Sequence, residues 1–289
     1  FEVRECEILS RPLNTLVKTL PKALNDAKRL REKLFSAELL GNGDSDAVLN
    51  LVYHKKLDTA WETEAEALSK EFSISVTGRS RGELKVIGRD YVTRTFEVGG
   101  EKLRYIIKQN CFSQPNGSVN EKMLGWAQNV ASGTGDLIEL YCGSGNFTVA
   151  FAKKYRRVFA TEVVKEAIDA AKTNKELNGL ENLYLGRISA EEATQALGGE
   201  REFNRLSGIN LQDFDFHTIF VDPPRSGLGQ KGREFAAGYD EIIYISCNPA
   251  TLKEDLESLT KTHKIEKFAV FDQFGYTNHL ECGVKLNRL

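Results

Sequence analysis

Two rhythms of apolar residues divide this chain. Between Leu13 and Leu40 they recur near helical spacing, at Leu16, Leu20, Leu24, Leu30 and Leu34, which predicts helix there. The alternating Phe1–Ile8 reads as a strand already under way, and Asp46–Tyr53 and Phe72–Val76 read as strands on either side of a helical Thr59–Lys70. Glycines at 78, 82, 88, 99 and 100 then cut the chain into short β pieces of hairpin size, ending near Lys108. Past that point the rhythm becomes strand, loop, helix. Leu137–Tyr141 leads to Phe147–Lys154, Val158–Thr161 to Val164–Leu177, Thr218–Val221 to a helix around Gly232–Ala237, and Ile242–Ile245 to Leu252–Thr260. Such alternation predicts a parallel sheet with helices on both faces and right-handed crossovers. Lys267–Phe271 and Gly283–Leu286 supply two further strands. The expectation is an α/β chain in two parts: a smaller α+β domain over 1–108, incomplete at its N-terminus, and a larger domain over 109–289.

Composition narrows the function classes. At 289 residues and 41% hydrophobic content the chain can bury a sizeable core. It has no run of 18 apolar residues and no basic-then-apolar leader, so neither a membrane span nor a signal peptide is expected, and a cytoplasmic protein is. The five cysteines form no C-x-x-C pair and no group with the four histidines, which argues against a metal site and a disulfide framework. One thiol is thereby free to act as a nucleophile. A net charge of −2 is unpromising for a nucleic-acid binder. Distribution changes the picture, because positive residues gather in Lys28–Lys33, in His54-Lys55-Lys56, and along Arg79, Arg81, Lys85, Arg89 and Arg94. Each cluster also suits an ordinary solvated face.

The chemistry-bearing residues lie at predicted strand ends. Gly143-Ser144-Gly145 follows an apolar strand and opens a helix, where small residues let the backbone approach a ligand. Glu162, 19 residues beyond Gly143, ends the next strand, where a carboxylate can accept from ribose hydroxyls. Thr148 stands where a dinucleotide fingerprint has its third glycine, so a nucleoside cofactor without pyrophosphate, S-adenosylmethionine, fits better than NAD. The same residues also suit a plain βα turn. In Asp222-Pro223-Pro224-Arg225 the two prolines end a strand and hold Asp222 at the carboxyl edge of the sheet. Amino-group methyltransferases place an aromatic residue after such prolines. Arg225 stands there instead, which favours a carbon target, and it either contacts a polyanion or forms a salt bridge. Cys247 sits between an apolar strand and a helix start, flanked by Ser246, Asn248 and Pro249, a setting expected to lower a thiol pKa.

Together these residues resemble the RNA uracil-5-methyltransferase family, most nearly its bacterial tRNA-directed members. The likeness is carried by Phe112-Ser113-Gln114-Pro115-Asn116, Leu140–Phe147, Ala160-Thr161-Glu162, Arg201–Leu206, Ile219–Gly227, Tyr244–Pro249 and Phe271–Gly283. The resemblance implies a Rossmann-like methyltransferase domain behind an RNA-recognition domain. It implies S-adenosylmethionine as methyl donor, bound by Gln114, Tyr141, Asn146, Glu162 and Asp222, with Cys247 as nucleophile and Glu281 as general base. The expected substrate is the T-arm of tRNA or a similar hairpin, bound by a monomer, with Phe35, His54 and Lys55 as RNA contacts. An iron-sulfur cluster is not expected, since only Cys6 and Cys111 precede the catalytic region. Two other readings are an RNA-binding module, opposed by the intact Cys247 and Glu281, and a cytosine-5-methyltransferase, opposed by Asp222 where Pro-Cys would stand.

Overall fold

The computed structural model describes residues 5–289, so Phe1–Arg4 of the expected first strand lie outside the described residues. Glu5–Ile8 is not a strand. Asn14 accepts from the Cys6 amide at 2.9 Å and donates to the Cys6 and Leu9 carbonyls at 2.9 and 3.1 Å, folding the segment into a turn. The chain divides into two compact units, one of residues 1–94 and 106–110 and one of 95–105 and 111–289.

The first unit runs α1 (Arg11–Asp26), α2 (Lys28–Arg31), β1 (Leu34–Gly41), β2 (Ala47–Tyr53), α3 (Thr59–Phe72), β3 (Ser75–Ser80) and β4 (Glu83–Ile87). Leu16, Leu20 and Leu24 form the buried stripe of α1. The expected helical run does not continue to Leu40, because Lys33 takes a left-handed φ of 53° and Leu34–Gly41 pairs antiparallel with β2. Asp58 caps α3 by accepting from the Trp61 amide at 2.8 Å. Trp61, fully buried, leaves no room for a side chain at Gly78, whose Cβ would lie 2.4 Å from its ring. The sheet order is β1-β2-β3-β4, with β2 and β3 parallel. A hairpin, β5 (Tyr91–Val98) and β6 (Glu101–Lys108), follows. The division between units falls inside it: Thr95–Tyr105 groups with the second unit, not with the first as the expected boundary at 108 has it. Phe96, Val98, Leu103 and Tyr105 belong to that unit's core.

The second unit continues α4 (Gly117–Val130), β7 (Asp136–Leu140), α5 (Asn146–Ala152), β8 (Val158–Thr161), α6 (Lys165–Leu177), β9 (Leu183–Gly186) and α7 (Ala190–Leu197). It ends β10 (Phe216–Val221), α8 (Gly229–Ala236), β11 (Glu241–Ser246), α9 (Pro249–Leu259), β12 (His263–Phe271) and β13 (Glu281–Arg288). Its seven-stranded sheet has the order β12-β13-β11-β10-β7-β8-β9. Five strands from β9 to β11 are parallel, and β13 is antiparallel to β11 and β12. Apolar clusters cover both faces, one around Phe147, Phe151 and Phe220, the other around Phe159, Tyr244 and Leu252. Chain order reverses between β7 and β10, so the loops leaving their carboxyl ends part to opposite faces and open a crevice.

Candidate active site

Strand register brings the sequence-selected residues to one edge. Leu140 pairs with Thr161 on one side and Val221 on the other, so the next residues, Tyr141, Glu162 and Asp222, stand in one row at the carboxyl ends of β7, β8 and β10. Tyr141 takes a left-handed φ of 63°. A tyrosine there stores on the order of 1 kcal/mol of strain, which the surrounding bonds must hold. Gly143 and Gly145 continue the turn at φ 55° and 82°, and a Cβ on Gly143 would meet nothing within 4 Å.

Those bonds are explicit. Glu162 accepts from the amides of Gly143, Val163 and Val164 at 3.1, 2.7 and 2.8 Å. Asn146 exchanges two hydrogen bonds with Asn120, Tyr105 donates to the Asn146 carbonyl, and Asn174 donates to that of Ser144. Gln273 accepts from the Asn116 amide at 2.8 Å and so holds the Gln114 segment. The Gln114 Oε1 is buried with no hydrogen-bond partner, a state that costs about 1–3 kcal/mol and that a bound donor would relieve. Carboxylates, one orphaned amide oxygen and a glycine turn fit a cationic nucleoside carrying ribose hydroxyls.

The second half of the site is a cluster of three ionisable groups. Ser246 pairs with Cys282 as β11 and β13 run antiparallel, so Cys247 leaves β11 at the end where Glu281 opens β13, and the Glu281 carboxyl acts on the thiol. Glu281 is 1% exposed, its Oε2 has no partner, and burial pushes its pKa up to about 7. Asp222 is raised well above the usual carboxylate range, by burial first and by Glu281 second. The Cys247 thiol is also raised, by burial, then by Glu281 and Asp222, with Arg225 opposing them. That corrects the expected lowering: Cys247 precedes the Asn248 cap of α9, but desolvation and two carboxylates outweigh the helix end. Of the two carboxyls, Glu281 titrates near neutrality, as a base working near pH 7 must.

The sequence alone assigns no role to Glu139, Asn120, Gln273 or Asp255. Glu139 was the most visible, a lone charge within the apolar run Leu137–Leu140; it is 1% exposed, and burial keeps it protonated well above the usual range. In the first unit, Phe35 is exposed and packs edge-on against His54 at 4.9 Å. Lys55 is already engaged, donating to the Arg29 carbonyl and to Glu32. Lys85 pairs with Glu62 and Arg89 with Asp46, whereas Arg79 and Arg81 make no ion pair among the described residues.

A sequence profile for "tRNA (Uracil-5-)-methyltransferase" matches residues 1–289. The chain belongs to that family. A tRNA/tmRNA (uracil-C(5))-methyltransferase of Cellvibrio japonicus is 48% identical over 289 residues, covering 100% of this chain and 79% of the relative. The namesake of Aliarcobacter butzleri is 45% identical, covering 100% of this chain and 77% of its own. Among solved structures, a Pyrococcus abyssi tRNA (uracil-54, C5)-methyltransferase in complex with S-adenosyl-L-homocysteine shares the fold, with a TM-score of 0.74 at 21% identity over 99% of this chain and 70% of that one. As a member of the uracil-5-methyltransferase family the chain is an enzyme whose chemistry must activate an unreactive ring carbon. Its site offers a thiol, a carboxyl near neutrality and a glycine turn at one sheet edge. Among the described residues no cluster of His, Cys, Asp and Glu could hold a metal ion, and no helix is long and apolar enough to cross a membrane.

Proposed function

We propose that this enzyme transfers a methyl group from S-adenosylmethionine to C5 of a uridine in the T-loop of tRNA, through a covalent adduct on Cys247 that Glu281 resolves. The meeting of Cys247 and Glu281 at the shared end of β11 and β13 carries the reading. S-adenosylmethionine supplies an electrophilic methyl on a positive sulfur. Glu162 suits its ribose hydroxyls, while Gln114, Tyr141, Asn146 and Asp222 line the remainder.

Uracil C5 is a weak nucleophile, so the chain must first make it carbanion-like. The Cys247 thiolate adds to C6, forming an S–C6 bond and an enolate whose C5 takes the methyl as the sulfur–methyl bond breaks. C5 then carries both methyl and hydrogen. Glu281, ionised, removes that proton, the C5=C6 bond re-forms, and the thiolate leaves. The base must leave its stack to reach Cys247, at a cost of a few kcal/mol that contacts in the pocket replace. The first unit serves as the RNA-recognition part, with Phe35 and His54 as a stacking pair and Arg79 and Arg81 on phosphates. The enzyme acts as a cytoplasmic monomer.

Incubating the protein with methyl-labelled S-adenosylmethionine and unmodified tRNA, followed by nucleoside and fragment mass spectrometry, tests this. Labelled 5-methyluridine in the T-loop fragment is expected. Label on a cytosine or on another arm would overturn the reading.

A further inference from the structure

The loop carrying Asp222 and the segment carrying Cys247 are separate in the chain, yet side chains of α9 tie them together. Asn248, the cap of α9, and Thr251, in its first turn, both donate to the Arg225 carbonyl, at 3.0 and 3.2 Å. One turn later comes Asp255, 2% exposed. Its Oδ2 accepts from the Leu228 amide at 2.9 Å and from the Tyr244 hydroxyl at 2.6 Å, and its Oδ1 accepts from Arg233 at 2.9 Å. A single carboxylate thus joins the Asp222 loop, β11, α8 and α9. Gly227 makes the approach possible: its φ is 75°, and a Cβ there would lie 2.7 Å from Asp255 Oδ2.

A buried ion pair is a poor device for stability, since packed apolar groups of the same volume often do as well or better. Its advantage is a fixed geometry. Here the fixed elements are the two that present Asp222 and Cys247, and the charge of Asp255 also acts on Tyr141, the strained residue of the third. We propose that Asp255 is a positioning residue that sets the Asp222–Leu228 loop against the first turn of α9, and so fixes the Cys247 sulfur relative to Asp222. The inference rests on the adduct chemistry above, with Asp255 touching neither RNA nor cofactor.

The test uses the whole chain. Asp255→Asn keeps the volume and loses the charge and one acceptor. Thermal melting and S-adenosylmethionine affinity by calorimetry report its fold, and single-turnover formation of the Cys247–RNA adduct reports position. Since Asp222 is one of five residues lining the cofactor, S-adenosylmethionine affinity is expected to fall by less than about tenfold while adduct formation slows on the order of a hundredfold, the scale for a misplaced reacting group. Thr251→Val, which removes one bond to Arg225, should slow the reaction in the otherwise native protein and add little in Asp255→Asn, because the loop has already shifted. An unchanged rate in folded Asp255→Asn, or strictly multiplicative losses, would overturn the proposal. Should Asp255→Asn not fold, Tyr244→Phe and Arg233→Met each remove one bond and are read the same way. Failure of the native protein to form any adduct would instead sink the functional reading on which this rests.

Discussion

Cys247, which leaves β11, and Glu281, which opens β13, flank Ser246–Cys282, the last registered pair of the two strands, and the carboxyl acts on the thiol. Two groups at one strand end that act on each other can serve the same substrate ring. Addition and methyl transfer precede proton removal. Glu281→Gln should therefore accumulate a methylated protein–RNA adduct, seen as a slow band on a denaturing gel, and Cys247→Ala, Glu281→Gln should show none. Full turnover by Glu281→Gln without an adduct would assign the base elsewhere.

The raised pKa of Glu281 has a cost in stability. Folded, it holds its proton up to about pH 7; unfolded, it releases it near 4.5. Between those values the folded state binds more protons, so stability falls as pH rises, by about 3 kcal/mol in all. Glu281→Gln should be more stable than the native protein by roughly that amount at pH 8 and by little at pH 4.5. Urea denaturation at both pH values measures it; equal stability at pH 8 would show that the carboxylate ionises without penalty.

Arg225 is the charged side chain that opposes the rise in the Cys247 pKa, alongside a backbone hydrogen bond. Arg225→Met should move the pH profile of Cys247 alkylation upward, as followed by mass spectrometry of the Cys247 peptide. A profile that stays put would place the guanidinium away from the thiol in solution.

Glu162 binds three loop amides and faces the crevice row. Glu162→Ala should weaken S-adenosylmethionine binding by roughly 1–3 kcal/mol, the scale for losing hydrogen bonds to a charged group. Calorimetry on the folded variant that finds native affinity would remove Glu162 from the site.

Arg79 and Arg81 are free of ion pairs among the described residues, while Lys85 and Arg89 are neutralised by acidic partners. Reversing both arginines to glutamate should flatten the salt dependence of tRNA affinity by about two units of log–log slope. The same reversal at Lys85 should change it less.

The placement of Asp222, Cys247 and Glu162 at strand ends is legible because such residues announce themselves: Asp222 before two prolines, Cys247 before Asn-Pro, Glu162 after an apolar four-residue strand. Their register is not, since pairing of β11 with β13 joins segments separated by a whole helix and strand. The thiol's pKa was misjudged because a helix start is visible in sequence, whereas burial beside Glu281 and Asp222 is a tertiary fact. Leu34–Gly41 misled for a simpler reason. Leucines at Leu30 and Leu34 keep a helical spacing across Lys33, whose left-handed backbone ends it.

The interleaved hairpin limits how the molecule can be dissected. A single cut at 108 would leave Phe96, Val98, Leu103 and Tyr105 on the wrong fragment, stripping four side chains from the core around Phe147 and Phe151, along with the Tyr105 hydroxyl bonded to the Asn146 carbonyl. A fragment of the larger unit beginning at Gln109 is thus expected to be unstable and to loosen the turn before Asn146, whereas one beginning at Thr95 keeps both the core and that bond. Engineered fusions or split versions of this enzyme should keep residues 95–105 with the larger part.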